Sequence, residues 1–165
     1  ARRAQCTASG VTDGHGSVRM ATDYTDMLLA ENLTYRIRNA LIEVSSRYGA
    51  GHKERVYQQA CAEVFQRGAI PYISQPQIDI HSLDTGRKIA VHIPDFVIAD
   101  CVVVELKAVP QLAFAAVVQL DTYLRATTFE IGILVNFGTP RAEIIRRIYT
   151  NDRKPLAAAR HTASV

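Results

Sequence analysis

Apolar residues recur at Leu33, Ile37, Leu41, Val44 and Tyr48, at spacings of three and four that draw one face of a helix. Gly49 then supplies a stop. A second helix is predicted from about His52 to Arg67, with Val56, Tyr57, Ala60, Cys61, Val64 and Phe65 turned inward and Gly68 closing it. The period then changes. Tyr72 to Ile80 alternates towards its end, Asp84-Thr85-Gly86 reads as a turn, and strands are predicted over about Lys88–Ile98 and Cys101–Lys107. Val102-Val103-Val104 is a continuous apolar run, the mark of a strand buried on both faces. Pro110 opens a helical stretch to about Ala126, a strand over Glu130–Asn136 ends at Phe137-Gly138, and Pro140 begins a final helix to about Tyr149. The pattern predicts an α/β (mixed α+β) fold in the order α-α-β-β-β-α-β-α. Three sequential strands form a meander, and a helical crossover leads to the last. The expected core is a mixed central sheet of about four strands flanked by helices on both faces.

Bulk properties narrow the classes. A chain of 165 residues suits one domain with one core, and 48% apolar with 21% charged residues is ordinary for a globular protein. No apolar run approaches the length of a bilayer span. The N-terminal arginines have no apolar stretch behind them, so a cytoplasmic location and no membrane association are expected. Residues 1–19, rich in Gly, Ser, Thr and Arg, read as a disordered arm or an expression remnant before Met20. The domain is expected over 20–150 and a basic C-terminal tail over 151–165. Cys6, Cys61 and Cys101 form no CxxC pair, which argues against structural zinc. Cys61 and Cys101 are read as small core residues. The net charge of +3 permits nucleic-acid binding without arguing for it. Arg141, Arg146, Arg147, Arg153, Lys154 and Arg160 form a basic run that could touch phosphates, although such a run usually marks a solvated face.

The chemistry concentrates between Ile93 and Lys107. Glu105 and Lys107 are two apart on a strand and share a face, at the rim of an otherwise apolar segment. Hairpin register decides whether Asp95 joins them. A two-residue loop at Ala99-Asp100 pairs Pro94 with Glu105 and sends Asp95 to the other face, whereas a three-residue loop, Ala99-Asp100-Cys101, sets Asp95 opposite Glu105. The odd loop is predicted. Two carboxylates on one face then make a hard oxygen site suited to Mg²⁺ or Mn²⁺, and an adjacent lysine can orient water or offset charge on a phosphate. Taken alone, Glu105 and Lys107 read first as a strand-end salt bridge, since short motifs match by chance. Glu54 and Tyr57, three apart, share a helix face, as do Gln119 and Tyr123, four apart. Singly, these read as a helix-dipole partner and a rim pair.

Gly51, Glu54 and Tyr57 together match the motif of the GxxExxY proteins, a group within the PD-(D/E)XK nuclease superfamily. The resemblance runs from about Leu33 to Ile148 and includes Gln75, Pro94-Asp95, Glu105-Leu106-Lys107-Ala108-Val109, Gln119-x-x-x-Tyr123 and Asn136-Phe137-Gly138. The Gln-x-x-x-Tyr element resembles the RecB-type branch. The resemblance implies a restriction-endonuclease-like core of helix, three strands, helix and strand. It also implies a catalytic set of Asp95, Glu105, Lys107, Glu54, Gln119 and Tyr123. Asp95 and Glu105 would be metal ligands, Lys107 the catalytic lysine and Glu54 a helix-borne acidic ligand. Gln119 and Tyr123 would position substrate or support Lys107. His52 lies too close to Glu54 for the upstream histidine of RecB-type enzymes and is read as a helix-start residue. Gly51, Asn136 and Gly138 are read as structural.

The sequence therefore leads to a Mg²⁺- or Mn²⁺-dependent phosphodiesterase acting on DNA. Two alternatives remain at this stage: a nuclease acting on RNA, and a nucleic-acid- or protein-binding module on the same fold with little chemistry. A homodimer or a larger DNA-processing complex would suit so small a domain, although no motif points to either.

Overall fold

A computed structural model describes residues 21–154 apart from Leu83, and for residues 21–30 and Asp152 it describes the backbone alone. The arm expected over 1–19 and the tail beyond 154 lie outside the described residues. Helix α1 spans Ala21–Tyr48 and buries Ile37, Ala40, Leu41 and Val44. It stops where Gly49 turns to φ +65 and donates its N–H to the Ser45 carbonyl at 2.9 Å, a left-handed conformation that glycine adopts without strain. Helix α2 spans Glu54–Arg67, so it starts two residues after His52. Its buried stripe is Tyr57, Ala60, Cys61, Val64 and Phe65. Val56 and Tyr48, both expected inward, are exposed instead.

The strands are β1 (Tyr72–Ser74), β2 (Ile78–His81), β3 (Lys88–His92), β4 (Phe96–Ile98), β5 (Val102–Lys107), β6 (Ile131–Asn136) and β7 (Glu143–Ile148), with helix α3 (Phe114–Ala126) between β5 and β6. Five of them form a mixed sheet in the order β1-β4-β5-β6-β7, while β2 and β3 pair apart as a hairpin. Only β5 and β6 are parallel within the sheet, which is the pairing a helical crossover requires. Phe96, Ile98, Val102, Val104 and Leu106 join the core beneath α1 and α2. Val97, Val103 and Leu134 pack on Leu120 of α3 on the opposite face. Strand β6 is buried along its whole length, as a central strand covered on both sides should be.

The α/β class and the mixed sheet agree with the sequence, but three predicted elements need correction. The single strand over Tyr72–Ile80 is two strands, because Gln75 takes φ +49 and Pro76 follows it. The strand over Lys88–Ile98 likewise breaks at Pro94, which has no N–H to give a ladder. The final helix after Pro140 is the edge strand β7, pairing with β6 from Ile131↔Ile148 to Asn136↔Glu143. Ile144, Ile145 and Ile148 fit a helical period, but β-branched side chains also suit a half-covered sheet edge, and pairing with β6 decides the outcome. Helix α3 also starts at Phe114, four residues after Pro110. No helix among the described residues is long and apolar enough to cross a membrane.

The loop leaving β5 is clamped to the end of β6. Buried Asn136 accepts the N–H groups of Val109 and Gly138, both at 3.0 Å, and donates to the Val109 carbonyl at 2.9 Å. The Phe137 N–H meets the Lys107 carbonyl at 2.7 Å. A Cβ on Gly138 would lie 2.0 Å from the Val109 oxygen, whereas the three atoms nearest to one on Gly132 all belong to the Leu120 side chain, the first at 2.7 Å. A side chain can move aside and a clamped backbone cannot. Gly138→Ala is therefore expected to cost at least the upper part of the ~1–3 kcal/mol typical of overpacking, and Gly132→Ala less. Urea denaturation of the two variants checks the order, and equal losses would contradict it.

Candidate functional site

Charged groups gather where β5 ends and β4 begins. The ladder pairs Phe96↔Val104, Val97↔Val103 and Ile98↔Val102, so the next position outward sets Asp95 opposite Glu105. The turn consists of Ala99, Asp100 and Cys101, with Ala99 and Asp100 at φ +51 and +54 and the Cys101 N–H bonded to the Ile98 carbonyl at 2.9 Å. This is the odd loop.

Asp95 is fixed on two sides. Its carbonyl accepts the Gln75 N–H at 2.9 Å, and its Oδ2 accepts the Leu106 N–H at 2.8 Å. Burial pushes its carboxyl up to about 6, and the charges of Glu105 and Glu54 push the same way. The Leu106 hydrogen bond and the Lys107 ammonium act against that rise. Asp95 thus feels all three of the other charged residues singled out in the sequence. Cys61, beneath it, is driven up to about 12 by burial and by the Asp95 charge, which makes it an inert core thiol.

Glu54 reaches this end of the sheet through the turn before it. Gly51 takes φ +102, a conformation closed to most side chains. The Tyr57 hydroxyl donates to the Gly49 carbonyl at 2.7 Å and accepts the His52 N–H at 3.2 Å. The Tyr57 ring stacks on Phe137, just beyond β6, with centroids 4.6 Å apart and planes 8° from parallel. Such a pair adds about 0.5–1.5 kcal/mol beyond its buried area. The glycine, glutamate and tyrosine are thus one device: the tyrosine pins the turn, and the glutamate three residues earlier opens the helix. His52 serves that turn, its ring edge-on to Tyr57.

Two surfaces meet at Asp95. On the α2 side an open groove of about 730 Å³ is lined by Glu54, Arg55, Gln58, Gln59, Ser74, Gln75 and Asp95, among others. On the α3 side, Gln119 donates its amide to the Tyr123 hydroxyl at 2.7 Å. Tyr123 in turn stacks on His92, with centroids 3.3 Å apart and planes 19° from parallel. His92 Nε2 lies 2.9 Å from Glu105 Oε1. Both atoms are buried and stand at ion-pair distance, but the contact lacks the directions of a hydrogen bond and neither atom has another hydrogen-bond partner. Among the described residues, no three His, Cys, Asp or Glu side chains are already gathered around one point.

Sequence reasoning missed His92 and the groove residues Arg55, Gln58 and Gln59. The polar stripe at positions 55, 58, 59 and 63, opposite the apolar face of α2, carries a legible signal for the groove. For His92 the sequence carries none. The basic run disperses: Arg147 forms a two-point pair with Asp121, Arg153 lies over Tyr149, and buried Lys154 donates to the Thr127 and Phe129 carbonyls.

A family model for the PD-(D/E)XK nuclease superfamily matches residues 31–148. No curated protein and no solved structure gives a significant match.

The raised carboxyl of Asp95 has a consequence for stability. The folded chain holds this proton more tightly than the unfolded chain, so Asp95 favours folding at low pH, and that contribution is lost as pH rises from its ordinary 3.8 through about 6. An asparagine at this position would keep an acceptor for the Leu106 N–H without the charge. Without divalent metal, Asp95→Asn is therefore expected to melt above the wild type near pH 7.5, with the gap closing towards about pH 4. Thermal melts in EDTA across that range check this, and a variant less stable at the upper end would contradict it.

Proposed function

The chain belongs to the PD-(D/E)XK nuclease superfamily, and from that premise we propose that it is a metal-dependent nuclease hydrolysing DNA phosphodiester bonds. On its motif residues we place it in the GxxExxY group. The observation that carries the reading is the meeting of Asp95, Glu105, Glu54 and Lys107 at one end of the sheet, where each of the other three charges acts on Asp95.

The residues fit a hard divalent cation. Asp95 is desolvated among like charges, and Glu105 Oε1 is buried with no hydrogen-bond partner; a bound cation relieves both conditions. Asp95, Glu105 and Glu54 would hold Mg²⁺ or Mn²⁺, with rotation of their carboxylates closing the set. When bound, such an ion supplies charge compensation on the phosphate and acidifies water. Lys107 brings an ammonium beside the two strand carboxylates, where it can orient the attacking water and offset charge that develops on phosphorus. The Phe137 N–H holds the Lys107 carbonyl, and the Asn136 side chain holds the loop that follows at Val109. Gln119 and Tyr123, already bonded to each other, offer amide and hydroxyl groups to the substrate backbone. Arg55, Gln58 and Gln59 line the groove along which a strand can approach Asp95.

The test is incubation with linear, circular, single-stranded and double-stranded DNA, and with RNA, in Mg²⁺ or Mn²⁺. Lys107→Ala is expected to lower the cleavage rate by on the order of 10²–10⁴-fold while leaving the fold intact by circular dichroism. Cleavage undiminished in the variant, or none on any substrate, would sink the reading. Cleavage confined to RNA would keep the chemistry and change the substrate.

A further inference from the structure

His92 lies outside every motif described above, yet it is the one buried residue of β3, whose other four positions are exposed. A histidine over nine-tenths buried must account for its ring nitrogens, and its Nε2 has no hydrogen-bond partner. The nearest polar atom is Glu105 Oε1 at 2.9 Å, itself buried and without a hydrogen-bond partner. A hydrogen bond at that separation would satisfy both atoms at once, but the contact does not have hydrogen-bond geometry, and the ring lies stacked on Tyr123, which holds its plane.

Two unspent electron-pair donors this far apart match a different geometry. Adjacent ligands of an octahedral ion bound at about 2.1 Å stand about 3.0 Å from each other. We propose that His92 Nε2 and Glu105 Oε1 are neighbouring ligands of one divalent cation, which makes His92 a metal-binding residue of the site. The inference rests on the nuclease reading for the existence of that cation. It adds a nitrogen ligand to an otherwise all-oxygen set, and imidazole nitrogen suits first-row transition ions better than Mg²⁺. It also gives the Gln119–Tyr123 pair a second task. Tyr123 becomes the surface that fixes the imidazole, the kind of outer support that metal-bound histidines ordinarily have.

The test uses Mn²⁺ as probe on the full chain, without substrate. Pulsed electron paramagnetic resonance of the Mn²⁺-loaded wild type is expected to show one directly coordinated nitrogen. That signal should vanish in His92→Gln and survive substitution of His15, His52, His81 or His161. Titration calorimetry should show Mn²⁺ affinity falling by on the order of tenfold or more in His92→Gln. Mn²⁺ bound in a manner that depends on Asp95 and Glu105 but without nitrogen coupling would overturn the inference and leave the nuclease reading standing. Mn²⁺ that does not bind, or binds equally well to Asp95→Asn and Glu105→Gln, would overturn both. The wild-type spectrum needs no variant, so misfolding of His92→Gln would not shield the proposal. In that event, loss of the signal in any of the other four histidine variants would overturn it.

Discussion

The parallel pairing of β5 with β6 runs through two strands covered on both faces, and the polar side chains of the site sit where that cover ends. From Val102 to Leu106 the strand is apolar except for Glu105, and β6 has no exposed position at all. A charged group can remain in such a sheet only at its end, where water, a ligand or an opposite charge can reach it. The same pairing delivers Asn136 beside Lys107. Asn136 then stitches the departing loop with three hydrogen bonds, and Phe137 supplies the ring on which Tyr57 stacks. Helix α2 and the loop leading to α3 are referred to the same strand end through these contacts.

That arrangement keeps like charges near one another. Left to itself, Asp95 disfavours the folded chain at neutral pH, through its burial and the charges of Glu105 and Glu54, and the Leu106 hydrogen bond and Lys107 offset only part of the effect. Sites that bind cations tightly are commonly built this way, because the repulsion relieved on binding adds to affinity. Folding is driven elsewhere, by the two apolar layers either side of the sheet, and this leaves the site free to be electrostatically uncomfortable.

The helices and central strands were legible because their apolar periods are long and consistent. The Gly51–Tyr57 segment was legible as a motif, and the structure supplies its mechanics. What failed did so for physical reasons. The run from Glu143 to Ile148 has isoleucines at spacings that serve a helix or an edge strand, and only pairing with β6 separates the two. The breaks at Gln75 and Pro94 follow from single backbone conformations that turn a predicted three-strand meander into a sheet with a hairpin standing off it. His92 was invisible because nothing local distinguishes it. Its surroundings come from β5 and α3, far along the chain, and a lone histidine at a strand end carries no period and no motif.

The Ala99–Cys101 turn makes the site sensitive to chain length in a way that composition does not reveal. Neither Ala99 nor Asp100 is a glycine, so the turn holds two left-handed residues with side chains, Asp100 exposed and Ala99 packed against the core. One residue inserted or removed is a different matter. It would leave both strands apolar, paired and stable, while turning Asp95 away from its partner. Drift in this loop should therefore be freest at Asp100, narrower at core-packed Ala99 and disulfide-bonded Cys101, and least tolerated of all in the count of residues.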